Sequence, residues 1–262
     1  MNLNTVRSRL VYRSLGWATL VALIVIWEVL GRMSNAFSTV PFSSAAVGMG
    51  RIIFSPDLVE HVLPSVGRVL IGFALASAFG IVIGVVIGSI RALDPWVNPL
   101  LEFGRAIPPP LLVPIALVVV GLGSELVILL IAFGAFWPVV INTIDGVRRI
   151  EPGYLETAAV LHVSGITRTT RVMLPAALPS VMAGLRTALS ISLILMVVAE
   201  MLGSSTGIGF LVLFAEQTFD VPSTYGGVLL LALLGWVFDT VFVLFERRAL
   251  SWHSSFQTED YV

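Results

Sequence analysis

The stretch Glu151–Pro179, EPGYLETAAVLHVSGITRTTRVMLPAALP, separates two strongly apolar segments, and its reading decides the fold. The pattern predicts two short helices broken near His162–Gly165. Pro152 suits the first turn of the first helix, where its missing N–H costs nothing. Glu156 lies about one turn further in. Gly165 permits a backbone turn that other residues resist. Pro175 and Pro179 introduce the next apolar run. Arg168 and Arg171 lie inside the stretch and Arg148 and Arg149 just before it, so a solvated loop is its plainest reading.

The surrounding chain is apolar. Of 262 residues, 57% are hydrophobic and 12% are charged, and the mean hydropathy is +0.98. Soluble domains carry about 25% charged residues, so this composition marks an integral membrane protein. A net charge of −1 gives no bulk basicity for nucleic acid. Cys is absent, which excludes disulfides, thiolate metal sites and cysteine catalysis within this sequence. All 15 basic residues are Arg. A P-loop needs a Lys beside its glycines, so any ATP that drives this protein is bound by another subunit. Schiff-base chemistry on Lys is excluded with it.

A spanning helix needs about 20 mostly apolar residues. The first span is expected over Ser14–Gly31. Its Arg-rich approach mimics a signal peptide, but no small-residue cleavage site follows, so it reads as retained. A short interfacial helix is expected at Ala45–Phe54. The second span, Ser65–Ile90, carries Gly80, Gly84 and Gly88 at four-residue intervals, the spacing that lets helices approach closely. A short interfacial helix at Asp94–Arg105 precedes Pro108-Pro109-Pro110. Pro114 then opens a third span that ends at Val120. The fourth span runs from Glu125 to Ile144, with a kink expected at Pro138. The fifth runs Pro179–Leu202. Residues 203–222 read as an extracellular loop with a partly inserted helix, and the sixth span is Ser223–Phe245. Residues 1–13 and 249–262 are then cytoplasmic, on either side of a transmembrane domain over 14–248 that contains the loop 148–178. The tail from Trp252 has no readable motif and is expected to be disordered.

Arg sets the orientation. With the N-terminus inside, the inner segments hold eleven Arg, from Arg7 to Arg248. The outer ones hold Arg32, Arg51 and Arg68. This puts both ends and the 148–178 loop in the cytoplasm.

Charge inside a span is expensive and marks function by default. Glu28 has Arg32 one turn away as a structural partner. Arg186 is expected to snorkel to the cytoplasmic headgroups. Asp239 reads as facing the bundle interior and pairing with another helix, with Thr240 beside it, in a structural or a pathway role. Glu200 shares one helix face with Ser192 and Met196.

Glu156, Ala158, Leu174 and Pro175 also stand at the spacing of the signature loop of ATP-binding-cassette importer permeases. That signature is Glu-Ala-Ala, three residues, Gly, nine residues, Ile, one residue, Leu-Pro. The stretch resembles it with three departures: Thr157 for Ala, Val172 for Ile, and His162 for Gly. Either His162 takes up the turn that Gly makes, or the turn slides to Gly165. Asp94–Gly123 and Ala199–Val212 resemble the subfamily that serves nitrate, alkanesulfonates, taurine, bicarbonate and certain pyrimidine precursors.

The resemblance implies an all-α type I permease fold of about six spans, with cytoplasmic coupling helices, in a bacterial inner membrane. It implies a second permease chain as a homodimer, two ATP-binding subunits and an extracytoplasmic solute-binding protein. ATP and magnesium belong to the ATPase, and no cofactor or metal to this chain. Glu156, Ala158, Gly165, Leu174 and Pro175 would shape the coupling helices. Thr157, His162 and Val163 would touch the ATPase. Solute would pass between the fifth spans, along Ser190, Ser192, Met196 and Glu200. Family solutes are mostly anions, which a carboxylate repels, so Glu200 alternatively anchors the Gly203–Gly207 turn. Two rivals stand beside this reading. An ion-coupled secondary transporter would use Glu200 and Asp239, and it predicts inverted repeats, which are not visible. An intramembrane enzyme lacks support: the chain shows no HExxH and no nucleophile elbow, and His61, His162 and His253 are scattered.

Overall fold

A computed structural model describes residues 3–34 and 39–252, with side chains from Leu15 onward. The tail residues 253–262, His253 among them, lie outside the described part. The described elements are helices: α1 Leu3–Met33, α2 Phe42–Ile53, α3 Leu63–Ser89, α4 Asp94–Ala106, α5 Val113–Val120, α6 Ser124–Arg148, α7 Pro152–Val160, α8 Gly165–Arg168, α9 Leu174–Gly203, α10 Ile208–Gln217 and α11 Val221–Ala249. A π-type turn over Leu58–Val62 leads into α3, and another over Thr169–Met173 joins α8 to α9.

Five segments are long and apolar enough to cross a membrane: Leu15–Met33, Leu58–Ser89, Ser124–Arg148, Gly165–Gly203 and Val221–Ala249. The expected third span is different. α5 has only 8 residues, about 12 Å of helix, too short to cross alone. It reaches a sixth crossing only with the preceding segment, and Arg91–Ala106 and Pro109–Val120 meet at 83°. The cause is local. Ile107 and Pro108 are extended, with ψ of 116° and 117°, because each stands before a proline ring that disfavours helix. α6 continues as helix through Pro138. The fifth span starts at Leu174, five residues earlier than expected. Pro175 falls in its first turn, where proline is tolerated.

The chain divides into two compact units, 1–58 with 211–231, and 59–210 with 232–262. In the first, Trp27 packs its edge on Phe42 at 5.4 Å and donates its indole N–H to the Val40 carbonyl at 3.1 Å. Glu28 accepts from Arg32 at 2.6 Å and from the Ser43 N–H at 2.9 Å. The expected Glu28–Arg32 pair therefore forms, and it also tethers the start of α2 to the end of α1.

In the second unit, α3, α6 and α9 pack side by side, and glycine sets how closely. A Cβ on Gly72 would come within 2.6 Å of Ile131, one on Gly80 within 2.8 Å of Val139, one on Gly84 within 2.6 Å of Thr143, and one on Gly88 within 2.8 Å of Val147. Both series rise together, so α3 and α6 run parallel with backbones nearly touching. Against α9 the direction reverses: Gly146 meets Ser180, and Gly184 meets Asn142. Val139, Ala135, Val181, Met182 and Ala188 fill the space between these helices.

Candidate functional site

The loop after α6 carries the signature residues. Glu151 is extended, Pro152 starts α7, and Ala158 packs inward with 4% of its surface exposed. The helix then stops in a specific way. His162 N–H bonds to the Ala159 carbonyl at 3.0 Å, and Val163 N–H reaches back to the Ala158 carbonyl at 2.8 Å. His162 between them has φ +53°. These are the two bonds of a Schellman termination, with His162 at the left-handed position that glycine usually fills. Gly165 has φ +58°, so both turns exist and neither replaces the other. Val163 is half-buried and Ala158 buried, at the two positions where an apolar pair commonly accompanies this cap.

Glu156, Thr157, His162 and Gly165 are exposed, whereas Leu174 and Pro175 are half-buried at the start of α9. The same surface shows apolar side chains that the sequence reading did not single out. Val160 and Leu161 are exposed at the end of α7, as is Ile166 at 82% on α8, with Tyr154 on α7 as well. These apolar side chains lie beside Arg168 and Arg171. Next to them lies a cleft of about 880 Å³ lined by Arg149, Tyr154, Thr157, Val163, Arg171 and Trp252 among others. Arg148, the last residue of α6, pairs with Asp94 at the start of α4.

The residues expected along a solute path separate. Ser190 is exposed, but Ser192, Met196 and Glu200 are enclosed within one copy of the chain. Period-four spacing placed these three on one face correctly. That face is the one α9 buries against α3 and α6. The Ser192 hydroxyl is used locally, donating to the Ala188 carbonyl at 2.7 Å.

Glu200 sits in a network at the other end of α9 from the coupling loop. Arg68 of α3, which the sequence reading put among the outer segments, is 4% exposed inside the unit. It donates to Glu200 Oε1 at 2.7 Å, to the Thr206 carbonyl at 2.8 Å and to the Ser124 hydroxyl at 3.1 Å. The Ser65 hydroxyl donates to the same carboxylate at 2.8 Å. The first N–H groups of α10 close the network. Gly207 N–H meets His61 Nδ1 at 3.1 Å, Ile208 N–H meets the Ser65 oxygen at 2.9 Å, and Gly209 N–H meets Glu200 Oε2 at 3.0 Å. A helix start has orphan donors and a positive end. The carboxylate satisfies both, so its geometry is that of an anchor for the Gly203–Gly207 turn. Gly207 has φ +114°, and a Cβ there would collide with the Glu200 carboxyl. Complementary charges inside two different spans were the available signal for this pair.

Asp239 pairs with another helix, as the sequence reading expected: Arg186 of α9 donates to it at 3.2 Å. Both side chains are about half exposed in one copy of the chain. The letters GxSxG do occur, contrary to the sequence reading, at Gly203-Ser-Ser-Thr-Gly207. They follow helix α9 and no strand, so the elbow context is missing.

Comparison with known proteins shows the family. Residues 76–251 match the family described as binding-protein-dependent transport system inner membrane component. A relative in Bacillus subtilis, named SsuC for aliphatic sulfonates transport, is 32% identical over 98% of this chain and 95% of its own. The bicarbonate transport system permease protein CmpB of Synechococcus elongatus is 36% identical over 74% of this chain and 70% of its own. A chain of the MetNI methionine ABC transporter, solved in inward-facing conformations, superposes with a TM-score of 0.63 over 74% of this chain and 96% of that one, at 18% identity. The chain belongs to the binding-protein-dependent transport system inner membrane components, the membrane-spanning permeases of ATP-binding-cassette importers.

Proposed function

We propose that the 151–175 surface docks a separate ATPase, and that the imported solute is a small anion. The observation that carries the docking reading is the open apolar set Val160, Leu161 and Ile166 on two short helices between two spans. Docking would cover it. In the complete importer, two copies of this chain pair with two ATP-binding subunits and receive solute from an extracytoplasmic binding protein. Both chain ends and the coupling loop face the cytoplasm of the cell, across its plasma membrane. ATP and magnesium are held in the ATPase. The anion reading rests on the relatives named for sulfonates and bicarbonate.

The chain's own contribution is mechanical. Ala158 and Val163 lock the end of α7 to its turn, so α7 and α8 move as a unit when the ATPase subunits close. Arg148 ties the end of α6 to α4 through Asp94, and α8 continues through a wide turn into α9. A displacement of the coupling helices therefore reaches the cytoplasmic ends of α4, α6 and α9 together. Glu156, Thr157 and His162 point outward from this unit and make the contact.

The test is purification of tagged protein from its native membrane in mild detergent, with mass spectrometry of what accompanies it. A P-loop ATPase in equal amount is the expected result. A chain that purifies alone, and transports in liposomes without ATP, would overturn the proposal and return attention to the secondary-transporter reading.

A further inference from the structure

Arg186 lies twelve residues beyond Leu174 on α9, and Asp239 ten residues before Ala249 on α11. Both are therefore about 15–18 Å from those helix ends, at 1.5 Å per residue. The Arg186 guanidinium donates to Asp239 Oδ1 at 3.2 Å, and Glu246 Oε2 stands 4.0 Å away. The Arg186 and Asp239 side chains are 50% and 56% exposed, and that of Glu246 is 11%. Charged side chains on membrane-spanning helices face protein, water or headgroups, not lipid tails.

The neighbouring side chains divide accordingly. On α11, Trp236, Val241, Leu244 and Phe245 are open and apolar, which suits lipid. On α9, the face of Arg186 carries Ala183, Thr187 and Ser190, all exposed and small or polar. The Ser190 hydroxyl donates to the Arg186 carbonyl one turn back, at 3.3 Å. Ile194 continues this face into a cleft of about 690 Å³ lined also by Pro109, Trp137, Glu102 and Arg105. Guanidinium has five donors in a planar fork that matches the oxygens of carboxylate and similar anions. Among the described residues, only the Asp239 bond uses them.

We propose that Arg186 binds the anionic group of the solute on a water-filled path along α9, with Asp239 holding the guanidinium in place. This rests on the importer reading above. The anion meets the free edge of the fork while Asp239 keeps the other. Two carboxylates beside one Arg keep that binding weak. A transport pathway requires this, since a bound solute must also leave.

The chain contains no Cys, so an introduced thiol is the single one on this chain, and labelling is read on the isolated permease band. The experiment places Ser190→Cys in the assembled transporter in membrane vesicles. It measures labelling by the anionic 2-sulfonatoethyl methanethiosulfonate and by its cationic trimethylammonioethyl counterpart. The anionic reagent is expected to react. Adding Arg186→Gln should slow it about tenfold, the order expected from removing one nearby charge in a partly aqueous site, while the cationic rate holds or rises. Arg186→Lys should retain most of the anionic rate, and Thr187→Cys should repeat the pattern one turn away. Phe245→Cys should take only a lipid-soluble maleimide. The proposal is overturned if neither charged reagent reaches Ser190→Cys or Thr187→Cys, meaning a lipid-facing or sealed surface. Equal anionic rates with and without Arg186 overturn it as well. Co-purification of the ATPase from the same vesicles reports the importer reading separately.

Discussion

Arg68 on α3 and Glu200 on α9, 132 positions apart, meet at 2.7 Å with both side chains buried. The pair joins two spans and seats the start of α10, so one contact fixes three helices. Removing one partner of such a pair leaves an uncompensated buried charge. Arg68→Leu or Glu200→Leu alone should destabilise by about 3–5 kcal/mol. The double substitution Arg68→Leu with Glu200→Leu should cost less than the two singles combined. Thermal unfolding in detergent, read as a double-mutant cycle, measures this. Strict additivity would show that the two side chains do not depend on each other.

His162 holds a left-handed conformation that glycine adopts freely and other residues adopt at roughly 1–2 kcal/mol. His162→Gly should therefore raise the stability of the loop by up to about 1 kcal/mol, after glycine's own entropy is counted. His162→Val should lower it, because a β-branched residue resists positive φ. Protease sensitivity of the 151–175 segment reads both. A more labile loop in His162→Gly would contradict the Schellman assignment.

The apolar docking surface predicts a different phenotype. Ile166→Asp and Leu161→Asp should leave the amount of protein in the membrane unchanged and cut ATPase co-purification by about tenfold or more, the loss expected at a hot spot. Glu156→Ala with Gly165→Val should uncouple ATP hydrolysis from uptake. Uptake at the unsubstituted rate in these variants would remove the coupling role from the loop.

Close packing of α3 on α6 makes its glycines unequal. Gly67 has nothing within 4 Å of an added Cβ, whereas Gly84 meets Thr143 at 2.6 Å. Gly67→Ala should gain about 0.5–1 kcal/mol of helix stability. Gly84→Ala should lose about 1–3 kcal/mol through overpacking. Thermal unfolding of the two variants side by side tests this, and equal effects would argue against the parallel α3–α6 contact.

Much of this was legible in the residues themselves. Apolar length located the spans, and the Glu156–Pro175 spacing marked the loop that carries the family resemblance. These features are local, because a bilayer and a helix terminus impose the same rules on any chain. Spacing also put Ser192, Met196 and Glu200 on one face, but it could not say which way that face turns. A helix in an apolar protein can bury polar residues or open them to a path. Only the packing of α9 against α3 and α6 decided for burial, leaving Ser190 and Arg186 outside. The partners of Glu200 were hidden for the same reason: Ser65, Arg68 and Gly209 come from three separate segments. The bend before the third span was not foreseen, because the prolines were counted as its start, when four of them within seven residues interrupt the helix. The sequence by itself determined the family and the loop that carries its signature. The tertiary structure alone decided which charges are locked together and which remain open, since that depends on how helices distant in the chain lie against one another.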